Sequence, residues 1–322
     1  MASTIAPARR VRRDHVRAVL TLRNVLRAGA ARTRGARPEE DDGGVTMIRN
    51  LLLLLGESPA GAVANAYARG LARRGDVSLT ALAGIDLSYI EAPMLGTIGG
   101  AAYHARMESG LQSAAERASN TLTEAFARDC AREGIPAAQL AFKGDPFDQV
   151  TAASALCDLV VAGHDVTFRG TGRERNSDTL SQLLQAAPRP VLVCPDVAPA
   201  GGDVLVAYDG SLPAMRALQL FVLLGCWADR SITVVSVDTQ SETAERLATD
   251  AQTYLSRHGY AVSTRPITSG AHPSEVIDSH VVDGFELLVM GAYGRRGLRE
   301  FIFGSTTQTV VGLPKTCIFL YH

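Results

Sequence analysis

Five consecutive leucines, Leu51–Leu55, stop at Gly56 and pass into Glu57-Ser58-Pro59. A strand-sized run that is apolar at every position demands burial on both faces, which few architectures supply. The same grammar returns where VLVAY, Val204–Tyr208, passes into Asp209-Gly210-Ser211-Leu212-Pro213. In each case a serine stands one or two residues before a proline, the pairing of an N-cap with a first-turn residue. Amphipathic helices are therefore predicted over Ala60–Arg73 and Ala214–Leu224.

The repetition continues. Second apolar runs follow, DVSLTALAG and SITVVSVD, and then helices that end at a glycine, Ala101–Glu133 before Gly134 and Thr243–His258 before Gly259. A third strand comes later in each half, CDLVVAGHD and FELLVMGAYG, and a proline introduces the last, PRPVLVCP and PKTCIFLYH. Apolar strands alternating with helices mark a parallel sheet covered on both faces. A chain of 322 residues is long enough to build two such cores. The Pro/Gly-rich link DVAPAGGD, Asp196–Asp203, reads as the boundary. The expectation is α/β: two tandem doubly wound, Rossmann-like parallel-sheet domains, at 47–198 and 202–322, behind a leader at 1–46.

The leader is basic, with about ten arginines and one acid in its first 38 residues, so the rest of the chain is acidic by a similar amount. Three readings stay open for it: a basic tail that binds nucleic acid or anionic surfaces, an organelle transit peptide, or an over-long start with Met47 as the true beginning. Val16–Leu26 has the pattern of a helix with little to pack against. Outside the leader, nucleic-acid binding is not expected. No apolar run nears the ~20 residues that span a bilayer. Cys130, Cys157, Cys194, Cys226 and Cys317 are odd in number and never CxxC. They are read as small core hydrophobes in a reducing cytoplasm.

In doubly wound sheets ligands bind beyond the carboxyl ends of the strands. There the second half carries Asp209 after its first strand, Val237 and Asp238 after its second, and the loop GAYGRRGLREFIFGST, Gly291–Thr306, after its third. Gly291 and Gly294 permit positive φ and let a ligand approach bare backbone. Gly304, Ser305 and Thr306 precede a helical stretch, Thr307–Val311, whose start offers free N–H groups and hydroxyls to a phosphate. Arg295 and Arg296 add charge. The blander reading is that the glycines serve only turn geometry and packing.

The spacing Gly-x2-Gly-x9-Gly-Ser, joined to an Asp after the first strand, resembles the ATP-binding subclass of the universal stress protein family, over 47–322. That resemblance implies that Gly291, Gly294, Gly304, Ser305 and Thr306 hold the phosphates of ATP with its Mg2+. It also implies that Asp209 holds the nucleoside and that Val237 touches adenine. It further implies an ATP-binding regulator of the stress response whose last strands, VLVCP and CIFLY, pair within the chain, with a homodimer as a further association. Two other classes stay open: a slow ATPase or autophosphorylating enzyme using Ser305, Thr306 or Thr307, and a nucleotide-free dimerisation scaffold. No catalytic residue is assigned.

The first half departs from the pattern. Gly163 and Ser177 keep the spacing, but Val166 and Asn176 replace the second and third glycines, and Gly56 replaces the Asp, with Glu57 as a partial substitute. A β-branched valine resists positive φ and adds bulk where a phosphate needs backbone. One competent site is therefore expected, in the second half. His164 and Asp165 adjoin, but residues adjacent after a strand usually point apart and the sequence offers no third ligand, so no metal site is assigned.

Overall fold

The computed structural model describes residues 47–92, 100–170, 179–180, 183–184, 187–271, 273–277, 284–292 and 315–322. The leader, and with it the predicted helix at Val16–Leu26, lies outside them. The first half runs β1 (Asn50–Leu54), α1 (Pro59–Ala72), β2 (Ser78–Asp86), α2 (Leu87–Ile90), α3 (Gly100–Glu133), β3 (Ala137–Gly144), α4 (Pro146–Ser154), β4 (Leu159–Gly163) and β5 (Val191–Cys194). The second runs β6 (Asp203–Ala207), α5 (Leu212–Leu224), β7 (Ile232–Asp238), α6 (Ser241–Arg257), β8 (Val262–Thr268), α7 (Pro273–Val276), β9 (Phe285–Gly291) and β10 (Cys317–Tyr321).

The ten strands among the described residues form one sheet in the order β3-β2-β1-β4-β5-β10-β9-β6-β7-β8. Each half has the same parallel order, its first strand flanked by its second and fourth. The halves meet where β5 and β10 pair antiparallel, Val193 opposite Ile318 and Leu192 opposite Phe319. The expected pairing of VLVCP with CIFLY is thus present. It gives each last strand a partner in place of an unpaired edge.

The leucine run explains itself in this setting. Leu51, Leu53 and Leu55 enter the core on one face of the sheet, among α1, α3, α5 and α6. Leu52 and Leu54 enter the core on the other, beside Val150 and Ala153 of α4. Both cores take residues from both halves. The helix starts follow the sequence reading: Ser58 accepts the Gly61 N–H at 3.0 Å and Ser211 the Ala214 N–H at 3.3 Å. All five cysteines are free and buried.

Two strands escaped the sequence reading, β3 and β8. They are the outermost strands of the sheet, largely exposed, so burial never imposed an apolar run on them. β8 even contains Pro266, which an edge strand tolerates because one side of its ladder is unpaired.

Candidate functional site

The parallel register of β6, β7 and β9 brings their carboxyl ends together: Ala207 pairs with Val235 on one side and with Met290 on the other. Beyond these ends opens a cavity of about 400 Å³. Asp209, Val237 and Gly291, assigned to one site from three separate stretches of sequence, all line it. Val237, Val235, Met290 and Ile277 give it an apolar floor, whereas Asp209, Thr243, Arg246 and Asp250 make its polar side.

Asp209 is held in place locally. Its Oδ1 accepts the Ser211 N–H at 2.9 Å, which fixes the carboxylate at the start of α5 while leaving acceptor capacity for a ligand. Gly210 follows in the left-handed region at φ +69°, and a Cβ there would stand 2.6 Å from Leu247. Glycine lets the turn close against α6. Burial, helped by the carboxylates of Asp250 and Asp209, raises the Tyr208 hydroxyl above its usual pKa, so this wall residue stays a neutral donor.

For Gly291 the observed geometry favours packing, the blander of the two readings, over a positive φ. Its φ is not in the left-handed region; instead an added Cβ would lie 2.4 Å from the Ala214 nitrogen and 2.6 Å from the Pro213 carbonyl carbon. The missing side chain lets the first turn of α5 rest on the end of β9. Gly163 does the same for α1, where a Cβ would stand 2.7 Å from the Gly61 nitrogen. Packing therefore accounts for this glycine, even though it also borders the cavity. Gly294, Gly304, Ser305, Thr306, Arg295, Arg296 and the stretch Thr307–Val311 lie outside the described residues.

Residues of α6 at the cavity were missed in the sequence. Thr243, Arg246, Leu247 and Asp250 fall at helical spacing on one face, a signal that was present but ambiguous until the opposing strand ends were known. Arg246 is itself paired with Asp250 at 3.3 Å on the exposed rim.

The corresponding ground in the first half is a smaller cleft of about 280 Å³, and its own side chains crowd it. The register Leu54–Leu82 against Ala207–Val235 puts Gly84 where Val237 stands in the second half. The Phe142 ring lies so close that a Cβ on Gly84 would meet it at 2.1 Å, and Phe168 packs edge-on against that ring at 5.0 Å. Val166, in place of the second glycine, is 2% exposed.

The segment after β4 is also tied down. Phe168 holds φ +60°, a conformation costing a bulky residue about 1–3 kcal/mol, and its carbonyl accepts the Asp86 N–H at 3.0 Å. Arg169 pairs with the buried Asp86 at 3.1 Å and lies over the Tyr89 ring at 4.1 Å. Asn176 and Ser177 fall outside the described residues. Glu57, the expected substitute acid, borders the cleft with its carboxyl pKa raised by burial.

The model of the Universal stress protein family matches residues 202–316. The second half is a universal stress protein domain. Among curated proteins, the universal stress protein Slr1230 of Synechocystis sp. is 27% identical over 205 residues, covering 62% of this chain and 67% of that one. Among solved structures, a universal stress protein from Archaeoglobus fulgidus DSM 4304 superposes with a TM-score of 0.61 at 20% identity, across 84% of this chain and 95% of that one. At that identity the likeness concerns the fold, and its coverage extends to both halves. Among the described residues, no helix is long and apolar enough to cross a membrane.

Proposed function

We propose that this chain is an adenine-nucleotide-binding regulatory protein of the stress response, with its nucleotide site in the universal stress protein domain. The supporting observation is the convergence of Asp209, Val237 and Gly291 on one cavity at the carboxyl ends of β6, β7 and β9. Its apolar floor suits the faces of a purine, and Asp209, an oriented acceptor, suits a ribose hydroxyl. ATP is the ligand, with its phosphates directed to Gly294, Gly304, Ser305 and Thr306 and with Mg2+ as counter-ion. In the first half, Val166 and Phe168 line a smaller cleft in place of the cavity, and we assign that half a structural part.

The test is ligand release. The purified chain is denatured and the freed small molecules are identified by mass spectrometry; the stripped protein is then titrated calorimetrically with ATP. One adenine nucleotide per chain supports the reading. No nucleotide released, together with no heat on titration, overturns it.

A further inference from the structure

The ladder between β4 and β5 pairs Gly163 with Cys194, and the His164 N–H donates to the Cys194 carbonyl at 3.1 Å. Both chains therefore leave the sheet side by side. This brings Asp196, 32 residues after His164 in sequence, to the adjacent His164 and Asp165. His164 Nε2 lies 3.4 Å from Asp196 Oδ1, and donor atoms of the three side chains all fall within 4.8 Å of one another. The third ligand that the sequence did not reveal is supplied by the strand order.

We propose that His164, Asp165 and Asp196 form a binding site for one divalent transition-metal ion, of which zinc is the best match. A tetrahedral ion with ligand bonds of about 2.0–2.2 Å separates its donors by about 3.3–3.6 Å. The His164–Asp196 pair already stands at that edge length, and the remaining donors need close by roughly 1 Å, a side-chain adjustment. One imidazole nitrogen and two carboxylate oxygens favour zinc, cobalt or nickel over magnesium or calcium, which prefer an all-oxygen shell.

The carboxylate is also oriented from behind. Ser58 Oγ donates to Asp165 Oδ1 at 2.6 Å, the kind of outer contact that fixes a metal-binding carboxylate. Three protein donors leave one position open, and Asp165 turns the site toward the first-half cleft. Among the described residues the second half shows no counterpart: Ala292, donating to the Tyr321 carbonyl at 2.7 Å, stands where His164 does. The site is thus independent of the nucleotide reading.

The full-length chain, stripped with a chelator, is titrated calorimetrically with Zn2+ alone. Wild type should bind one ion per chain beyond any background shared with the variants, and the bound ion should raise the melting temperature. His164→Ala and Asp196→Asn should each lose that ion, with affinity down at least about tenfold. Asp196 is exposed, so its variant should remain folded. Co2+ substitution gives a second readout, since the visible absorption of a His-ligated ion should vanish in His164→Ala. Equal stoichiometry and affinity in wild type and both variants would overturn the site. So would an ion pair only, in which the variants lose stability but Zn2+ changes nothing in wild type.

Discussion

The hydroxyl of Tyr67, on α1 of the first half, donates a 2.7 Å hydrogen bond to Glu286 Oε1 at the start of β9 in the second. The Trp227 indole N–H donates to the same hydroxyl at 3.0 Å, and Arg230 reaches Glu286 Oε2 at 3.2 Å. Beside them Arg74 donates to the Cys226 carbonyl at 2.9 Å. This polar cluster spans the joint between halves on the face of the sheet where Phe221, Trp227 and Phe319 pack together.

Tyr67→Phe should therefore act on both halves at once. The substitution keeps the ring but takes the shared hydroxyl from the Trp227 N–H and from Glu286 Oε1, at a cost of about 1–3 kcal/mol. Urea denaturation should show one cooperative transition at a lower midpoint. Tyr67→Phe combined with Glu286→Gln should cost less than the two single losses together, because they share one network. Strictly additive losses would show that the two residues act separately.

The same tyrosine carries a pH signature. Burial first, then the Cys317 thiol and Glu286, raise its pKa well above the ordinary value. The folded chain holds this proton to a higher pH than the unfolded chain, so the stabilising effect is complete below about pH 10 and drains away above it. Wild type should lose stability as pH rises from about 9.5 to 11, and Tyr67→Phe should lose less over that interval. Chemical denaturation at stepped pH measures both slopes.

The cysteines extend that argument to reactivity. Burial pushes the Cys157 and Cys226 thiols up to about 12 and Cys130 up to about 11, while the hydrogen bond with Cys317 and then burial raise Cys194 well above its ordinary value. Thiolate, not thiol, is the nucleophile. Iodoacetamide at pH 8 should leave the native chain unmodified over the time that alkylates all five thiols after denaturation. Rapid labelling of Cys157 or Cys226 in the native chain would contradict their burial.

What could be read directly from the sequence follows from how strongly burial constrains each residue. Leu51–Leu55 must serve two cores, so β1 was visible at once, as were β6 and β9. β3 and β8 carry no such demand and stayed hidden, and with β3 went Phe142, whose ring packs against Gly84 and Phe168. Asp209 and Val237 were legible because the strand-end rule places them. For Gly291 packing was only the blander reading, because the helix start it meets, 77 residues earlier (Ala214), appears only in three dimensions. Asp196 was hidden in the same way: β4 and β5 are neighbours in the sheet, not in the chain.

Gly291→Ala and Gly163→Ala separate packing from binding. Each new methyl would press on the first turn of a helix, at a cost of about 1–3 kcal/mol in either half. Both variants should melt at lower temperature. Gly291→Ala should also weaken ATP binding, since α5 is capped by Ser211, whose N–H fixes Asp209, whereas Gly163→Ala should leave ATP affinity as in wild type. Equal loss of affinity in both would place the nucleotide elsewhere.

Asp209→Ala tests which part of the ligand this carboxylate meets. Asp209 sits at the end of β6, between the apolar floor formed by Val237 and Met290 and the start of α5. A carboxylate repels a phosphate but accepts from ribose hydroxyls, so its removal should take away nucleoside recognition and leave the anion-binding contribution intact. Losing a hydrogen bond between a charged acceptor and the ligand costs about 1.5–3 kcal/mol, or roughly 10- to 150-fold in ATP affinity. Tripolyphosphate has no sugar and should bind the variant as well as it binds wild type, or better. Calorimetric titration of both ligands into both proteins gives the comparison. If ATP and tripolyphosphate weaken by the same factor, Asp209 shapes the loop rather than holding the sugar, and nucleoside selection must come from the floor.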